Sequence, residues 1–369
     1  MIRKLCLAFC LFVLLVAGSA LAQDGGLPGL ADLESGWNTL SPGGDTMCAY
    51  GTEYTFHIRP AESDHLLIYF NGGGACWFGQ ICDLGSTTFV PVADIDHNDP
   101  RTQVGIFDLE NPENPFADYN MVYVPYCTGD VHLGDASTVY HIPATADNPE
   151  HDVEFHHNGY NNAMSVLNWV FENYESPDTI FVTGSSAGAI ASPFYAGLVA
   201  ENYPDARIVQ LGDAAGGYRA PDSIGLVNEA WGSFNILPDW EEYADYSPST
   251  LNFEAYYVAT GTRFPDMVMS QYNTANDQTQ LGFLSILGIT DVALQGLIDA
   301  NLADIQASVE NFYTYMAGGP VHTMLRSPEL YAYEVEGVRL VDWVAALAAG
   351  DMVENVTCTD CENPPATGE

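Results

Sequence analysis

Short apolar segments that run into glycine, asparagine or aspartate recur along the chain. They are 66–70, 121–124, 179–182, 208–211 and 267–272. Apolar residues in most of them are continuous rather than alternating, which is typical of strands covered on both faces of a parallel sheet. The pattern therefore predicts an α/β fold.

Helical patterns lie between these segments. Apolar residues recur three and four positions apart at Ala163, Val166, Leu167, Val170, Phe171 and Tyr174. A second apolar stretch, 189–199, also indicates a helix. Strand, helix and strand in this order predict a doubly wound, mostly parallel sheet with sites at the carboxyl ends of its strands. Segments 228–253 and 281–315 are expected to be helical excursions that cap that edge.

The first 22 residues have the pattern of a secretory signal peptide. Arg3 and Lys4 precede an apolar stretch over 5–17, and Ala20-Leu21-Ala22 forms a small-residue cleavage site. We expect export to the extracellular or periplasmic space, no membrane anchor, one mature domain over 23–361, and a flexible tail over 362–369.

The charge of the chain is strongly negative. Nine lysines and arginines face 49 acidic residues, a net charge of −40, and no lysine follows Lys4. Loss of the signal peptide removes two of the basic residues. A high-salt environment explains this balance most simply because salt screens the self-repulsion, with a calcium-rich or acidic habitat as the alternative. Nucleic acid and anionic membranes are poor partners for such a surface, and the oligomeric state is left open.

A Gly-x-Ser-x-Gly motif offers the strongest chemical signal. Residues Gly184-Ser185-Ser186-Ala187-Gly188 stand between a predicted strand and a predicted helix. This order is typical of a nucleophile elbow, in which a tight turn presents the serine hydroxyl at the start of a helix. Ser186 is therefore the candidate nucleophile.

A serine nucleophile needs a base and an orienting acid. His322 is the only one of the nine histidines that follows Ser186, and the chain order Ser, acid, His makes it the candidate base. Ten aspartates lie between the two residues. Asp277 is favoured because it follows the end of a predicted strand; Asp213, Asp222 and Asp266 remain alternatives.

Asn71-Gly72-Gly73-Gly74 follows the first of the predicted strands. Such a loop can bring backbone N–H groups close to an oxyanion. We expect Gly73, Gly74 and Ala187 to supply these donors. A phosphate-binding P-loop is excluded, because it requires a lysine.

Six cysteines follow residue 22: Cys48, Cys76, Cys82, Cys127, Cys358 and Cys361. An even number in an exported chain indicates disulfides, and six cysteines allow fifteen pairings. Cys358 and Cys361 are expected to form a local disulfide rather than a metal site. The acidic segment 94–99 and His156-His157 lack metal-ligand spacing, so no metal and no cofactor are expected.

Five sequence blocks resemble the pectinacetylesterase/Notum family of serine carboxylesterases. They are 71–77, 126–130, 184–188, 276–278 and the loop around His322. The resemblance implies an α/β-hydrolase-like fold, with Ser186 as nucleophile, Asp277 as acid and His322 as base. It also implies disulfides Cys48–Cys127 and Cys76–Cys82.

These patterns predict a secreted serine esterase that removes short acyl groups from a small or polymeric ester, such as one of a polysaccharide or polyol. One alternative is an esterase for lipid, aromatic or polyester substrates. Another is a catalytically inactive binding protein on the same fold.

Overall fold

The computed structural model describes residues 26–145 and 148–365. The predicted signal peptide, 1–22, lies outside the described residues, as do residues 366–369 of the predicted tail. Within the described part, no helix has both the length and the apolar character that crossing a membrane would need.

Strands and helices alternate through most of the described chain. The strands are β1 Asn38–Leu40, β2 Phe56–Arg59, β3 His65–Phe70, β4 Asn120–Val124, β5 Ala136–Ile142, β6 His151–His157, β7 Thr179–Ser185, β8 Arg207–Asp213, β9 Val268–Thr274, β10 Phe312–Ala317, β11 Glu334–Val335, β12 Val338–Arg339 and β13 Val356–Thr357. The helices are α1 Ile95–Asn98, α2 Gly159–Asn173, α3 Ala187–Asn202, α4 Ile224–Trp231, α5 Phe253–Arg263, α6 Gln278–Ile286, α7 Leu294–Gln306 and α8 Leu340–Ala349. All five strands predicted from apolar segments are present, as β3, β4, β7, β8 and β9.

The described part contains one nine-stranded sheet, in the order β1-β2-β4-β3-β7-β8-β9-β10-β13. Pairs from β4 through β13 are parallel, whereas β2 runs antiparallel to both β1 and β4. The expected α/β fold with a mostly parallel sheet is confirmed.

Alternate residues of the central strands enter two hydrophobic clusters. In β3, Leu66, Ile68 and Phe70 belong to one cluster and Leu67 and Tyr69 to the other. The first cluster includes residues of α2, α3, α5 and α7, and the second includes residues of α8. Both faces of the sheet are therefore covered, which explains why the strand sequences are continuously apolar.

Other elements differ from the sequence prediction. The segment 228–253 contains the end of α4, one 3₁₀ turn at Glu241–Tyr243 and otherwise turns and bends, so its expected helical character is mostly wrong. The segment 281–315 holds α6 and α7 but ends in strand β10. The antiparallel hairpin of β5 and β6 was not predicted, because its strands are half exposed and carry a mixed polar pattern.

All six described cysteines form disulfides. The pairs are Cys48–Cys127, Cys76–Cys82 and Cys358–Cys361. The first joins the loop before β2 to the loop after β4, and the second lies directly after the glycine loop that follows β3.

Candidate active site

Five parallel strands bring the candidate residues to one edge of the sheet. The glycine loop follows β3, Ser186 follows β7, Asp213 ends β8, Asp277 follows β9 and His322 follows β10. Because β3, β7, β8, β9 and β10 are neighbours in parallel register, their carboxyl ends share this edge.

Ser186 occupies a strained turn between β7 and α3. Its φ of 56° and ψ of −118° are uncommon for a residue with a side chain, and the residue is half-buried. A Cβ at Gly184 would lie 2.5 Å from the backbone of Gly188, and one at Gly188 would lie 2.0 Å from the Phe70 carbonyl oxygen. Only glycine fits at both positions, so the motif has the geometry of a nucleophile elbow.

The glycine loop lies against the Ser186 turn. A Cβ at Gly72 would lie 2.9 Å from the Ser186 Cβ, and Gly74 has a φ of +79°. The N–H groups of Gly73 and Gly74 have no hydrogen-bond acceptor within the described part of the chain. Ala187 begins α3, so its amide points out from the helix N-terminus. These amides are available to a bound anion.

Asp277 and His322 form a close pair. The Nδ1 atom of His322 lies 2.6 Å from Oδ2 of Asp277, whose side chain is fully buried. The other carboxylate oxygen, Oδ1, accepts hydrogen bonds from the amides of Thr279 and Gln280 at 2.9 and 3.1 Å. These bonds hold the carboxylate at the start of α6 and so orient the histidine ring.

The second ring nitrogen of His322 is unsatisfied. Its Nε2 atom is buried and has no hydrogen-bond partner among the described residues. A buried imidazole nitrogen without a partner is costly unless a ligand or a catalytic group uses it. The structure brings Asp277 and His322 together, but it contains no hydrogen bond between His322 and Ser186.

The loops that carry this pair are tied to each other and to the C-terminal disulfide. The amide of Asn276 donates to the Gly319 carbonyl at 3.1 Å. The carbonyl of Cys361 accepts from the Gly319 amide at 3.1 Å and from the Asn276 side chain at 2.9 Å. The Cys358–Cys361 turn therefore supports the loop that carries Asp277, which we call the acid loop, and the loop that carries His322, which we call the base loop.

The alternative acids have other surroundings. Asp222 and Asp266 are exposed, and neither bonds to His322. Asp213 is fully buried but bonds to Ser185 and to the amides of Met324 and Leu325. Burial raises the pKa of the Asp213 carboxyl, and these hydrogen bonds oppose that rise.

An apolar cleft opens beside Ser186. It is narrow, and its lining is almost entirely apolar. Besides Ser186 and Gly74, its lining includes Ile224, Val227, Trp231, Phe253, Phe283 and Leu287.

A second cleft, which we call the polar cleft, opens beside His322. Gly72, Gly73 and His322 line it, and Asp96, Gln103, Arg326 and Glu329 supply polar side chains. It is wide and open to solvent. Ser186 therefore faces an apolar space, and His322 faces a polar one.

Residues of segment 94–99 and of the His156-His157 pair, which the sequence analysis considered as metal ligands, bond to other protein groups. Asp94 caps α1 by accepting from the His97 amide, and Asp99 pairs with Arg101. His157 is buried between the Thr128 carbonyl and the Tyr140 hydroxyl. Residues 26–145 and 148–365 contain no group of three or more candidate metal ligands.

Comparison with known families agrees with this geometry. The profile of the family described as "Pectinacetylesterase" matches residues 41–274, which is more than half of the chain.

The chain belongs to the pectinacetylesterase family.

The match of this pectinacetylesterase-family chain covers the glycine loop, the Ser186 elbow and the region of the first two disulfides. It ends before Asp277 and His322, so the pairing of these two residues rests on the structure.

One curated relative is the "Inactive palmitoleoyl-protein carboxylesterase notum1b" of Danio rerio. It is 31% identical over 90 residues, which is 24% of this chain and 65% of the relative. The pectinacetylesterase-family chain therefore matches less than two thirds of that protein, whose name describes it as inactive.

Proposed function

We propose that this protein is a serine carboxylesterase that works through an acyl-enzyme. The observation that carries the proposal is the Asp277–His322 pair at 2.6 Å, at the same sheet edge as the Ser186 elbow. Asp277 orients the imidazole and stabilises its charged form, which leaves Nε2 free to accept a proton. The signal-peptide pattern and the three disulfides support export of the mature enzyme.

In the proposed reaction, Ser186 Oγ attacks the ester carbonyl carbon as its proton passes to His322 Nε2. The amides of Gly73, Gly74 and Ala187 stabilise the oxyanion. Collapse of the tetrahedral intermediate breaks the bond to the alcohol oxygen, which receives the proton from His322. Water then attacks the acyl-Ser186 ester by the same route and releases the carboxylic acid.

We further propose that the two clefts divide the substrate between them. The apolar cleft receives the acyl group from Ser186, and the polar cleft receives the alcohol that His322 protonates. A polar alcohol side fits a polyol or polysaccharide ester. Helices on both faces of the sheet support a doubly wound α/β-hydrolase arrangement, in which α4, α6 and the segments around them act as the cap.

The length of the acyl group separates two candidate functions. Membership of the pectinacetylesterase family favours a short, acetyl-type group. The apolar lining of the cleft beside Ser186 favours longer apolar acyl groups as a second candidate. The ratio of kcat/KM values across esters from acetyl to palmitoyl distinguishes them, with an optimum beyond about ten carbons excluding the acetyl-type function.

Labelling with a fluorophosphonate tests the enzyme against an inactive binding protein. The wild type and Ser192→Ala should be labelled and active, because the Ser192 hydroxyl bonds within α3 and to Gln210 and lines neither cleft. Ser186→Ala should lose both labelling and turnover. Turnover in the Ser186→Ala protein close to that of the wild type would refute the proposal.

A further inference from the structure

Asp213 contacts the neighbours of both the candidate nucleophile and the candidate base. Its backbone carbonyl accepts from the Ser186 amide at 2.8 Å. Its carboxylate oxygen Oδ2 accepts from the Ser185 hydroxyl at 2.7 Å. The last residue of β8 therefore holds the elbow through its main chain and its side chain together.

The same carboxylate holds the chain just after His322. The Met324 amide donates to Oδ1 and Oδ2 at 2.9 and 3.0 Å, and the Leu325 amide donates to Oδ2 at 2.9 Å. Thr323, between His322 and these amides, has a φ of 58°, which is uncommon for a residue with a side chain. A backbone turn of this kind persists only where its surroundings hold it.

The base loop has one more connection to the site. Arg326 Nη1 donates to the Asn71 side-chain oxygen at 2.9 Å, and Asn71 begins the glycine loop. Residues 324–326 are thus bonded to the elbow through Asp213 and to the glycine loop through Asn71. Asp213 bonds through one side chain to Ser185 in the elbow and to Met324 in the loop after His322. Among the described residues, no other side chain makes hydrogen bonds to both segments.

We propose that Asp213 is a positioning residue of the esterase, which sets the Ser186 turn and the His322 loop in register through one buried carboxylate. The inference rests on the proposed function. This role differs from that of the orienting acid, for which the sequence left Asp213 as an alternative. The carboxylate that bonds to His322 is that of Asp277. Asp213 acts through Ser185, Met324 and Leu325 and touches no substrate.

Asparagine at this position weakens the bridge with little change in volume. Its NH₂ group cannot accept the bonds that one carboxylate oxygen now receives, and it faces backbone N–H groups instead. A catalytic misplacement of about 1 Å can cost about 10²-fold in rate. We expect kcat of Asp213→Asn to fall about 10–100-fold, with KM for a p-nitrophenyl ester changed less than about threefold.

The test measures kcat per active site, with sites counted by fluorophosphonate titration. A role only in stability lowers the number of titrated sites and leaves kcat per site unchanged, whereas a positioning role lowers kcat per site. Glu254→Gln is the matched control, because Glu254 is also a buried carboxyl with a raised pKa, caused mainly by burial, and bonds to neither loop. Its kcat per site should equal that of the wild type.

Ser185→Ala tests the same inference if the Asp213→Asn protein does not fold. It removes one arm of the bridge and keeps both amide bonds, so kcat per site should fall about 3–10-fold, while Ser192→Ala should show no change. Values within twofold of wild type for Asp213→Asn, or for Ser185→Ala in its place, overturn the inference and leave the esterase intact. A wild type that neither labels nor turns over refutes the proposed function, and this inference with it.

Discussion

The two clefts that meet at the glycine loop differ in chemistry and in origin. The apolar cleft takes most of its lining from residues 218–287, on and around α4, α5 and α6. The polar cleft is formed by residues within 72–103 and 321–329, which are loops apart from α1 and short 3₁₀ turns. Ser186 lines the first and His322 the second. Because separate parts of the chain build them, preferences for the acyl group and for the alcohol should change independently.

The largest expected effect is that of a substitution that acts on the acyl side and the alcohol side of the substrate alike. His322→Ala should lower kcat/KM by at least about 10³-fold for every ester, because both halves of the substrate depend on the same base. Asp277→Asn should cost somewhat less, since the imidazole remains. Kinetics with one acetyl ester and one longer ester measure the change, and a loss confined to one ester would contradict a shared base.

Filling the apolar cleft should affect only the acyl side. Ala220 lines this cleft and is half-buried, so Ala220→Phe adds volume there with little strain in the core. For acyl chains longer than acetyl we expect kcat/KM to fall about 10–100-fold, and for acetyl esters less than about threefold. Ala303→Phe, on the exposed side of α7, is the control. Equal losses across all chain lengths would show that the acyl group does not bind in this cleft.

The Cys76–Cys82 disulfide should matter to the apolar cleft more than to the whole fold. The Cys76 carbonyl accepts from the Trp231 indole at 2.7 Å, and the cysteine follows the glycine loop directly. Replacing both cysteines with alanine should lower kcat about tenfold, because the backbone donors of the glycine loop become less ordered. The domain should remain folded. Replacing Cys358 and Cys361 tests the base loop in the same way. Activity unchanged in either protein would contradict the corresponding brace.

The smallest effect concerns salt and acts on the surface outside both clefts. With a net charge of −40 and no lysine after Lys4, we expect Tm to rise as NaCl approaches molar concentration. Hydrolysis of neutral p-nitrophenyl acetate should change little, whereas acetylated pectin, a polyanion, should be cleaved faster as salt rises. A flat Tm would contradict adaptation to salt.

Strands and the elbow were predictable because their signals are local. Apolar segments identified β3, β4, β7, β8 and β9, and the spacing of Gly184 and Gly188 around Ser186 is visible within five residues. His322 followed from chain order alone. Those signals need no knowledge of distant neighbours.

The apolar cleft and the role of Asp213 could not be predicted, since both depend on contacts between distant segments. The lining residues Val227 and Phe283 are far apart in sequence and face one cleft only after α4 and α6 pack. Asp213 lies 111 residues from Met324. A buried aspartate that accepts backbone amides has the same sequence signature as one that orients a histidine.

The Cys361 carbonyl supports both the acid loop and the base loop, although Cys361 lies near the end of the chain. Cys361 leaves the ribosome 39 residues after His322 and 84 after Asp277, by the numbering of the chain. Until it has been made and cross-linked to Cys358, the acid and base loops lack their shared support. Disulfides form in oxidising compartments rather than in the cytosol. On the proposed function, assembly of the active site is therefore tied to export, and a chain that is still in the cytosol lacks this brace.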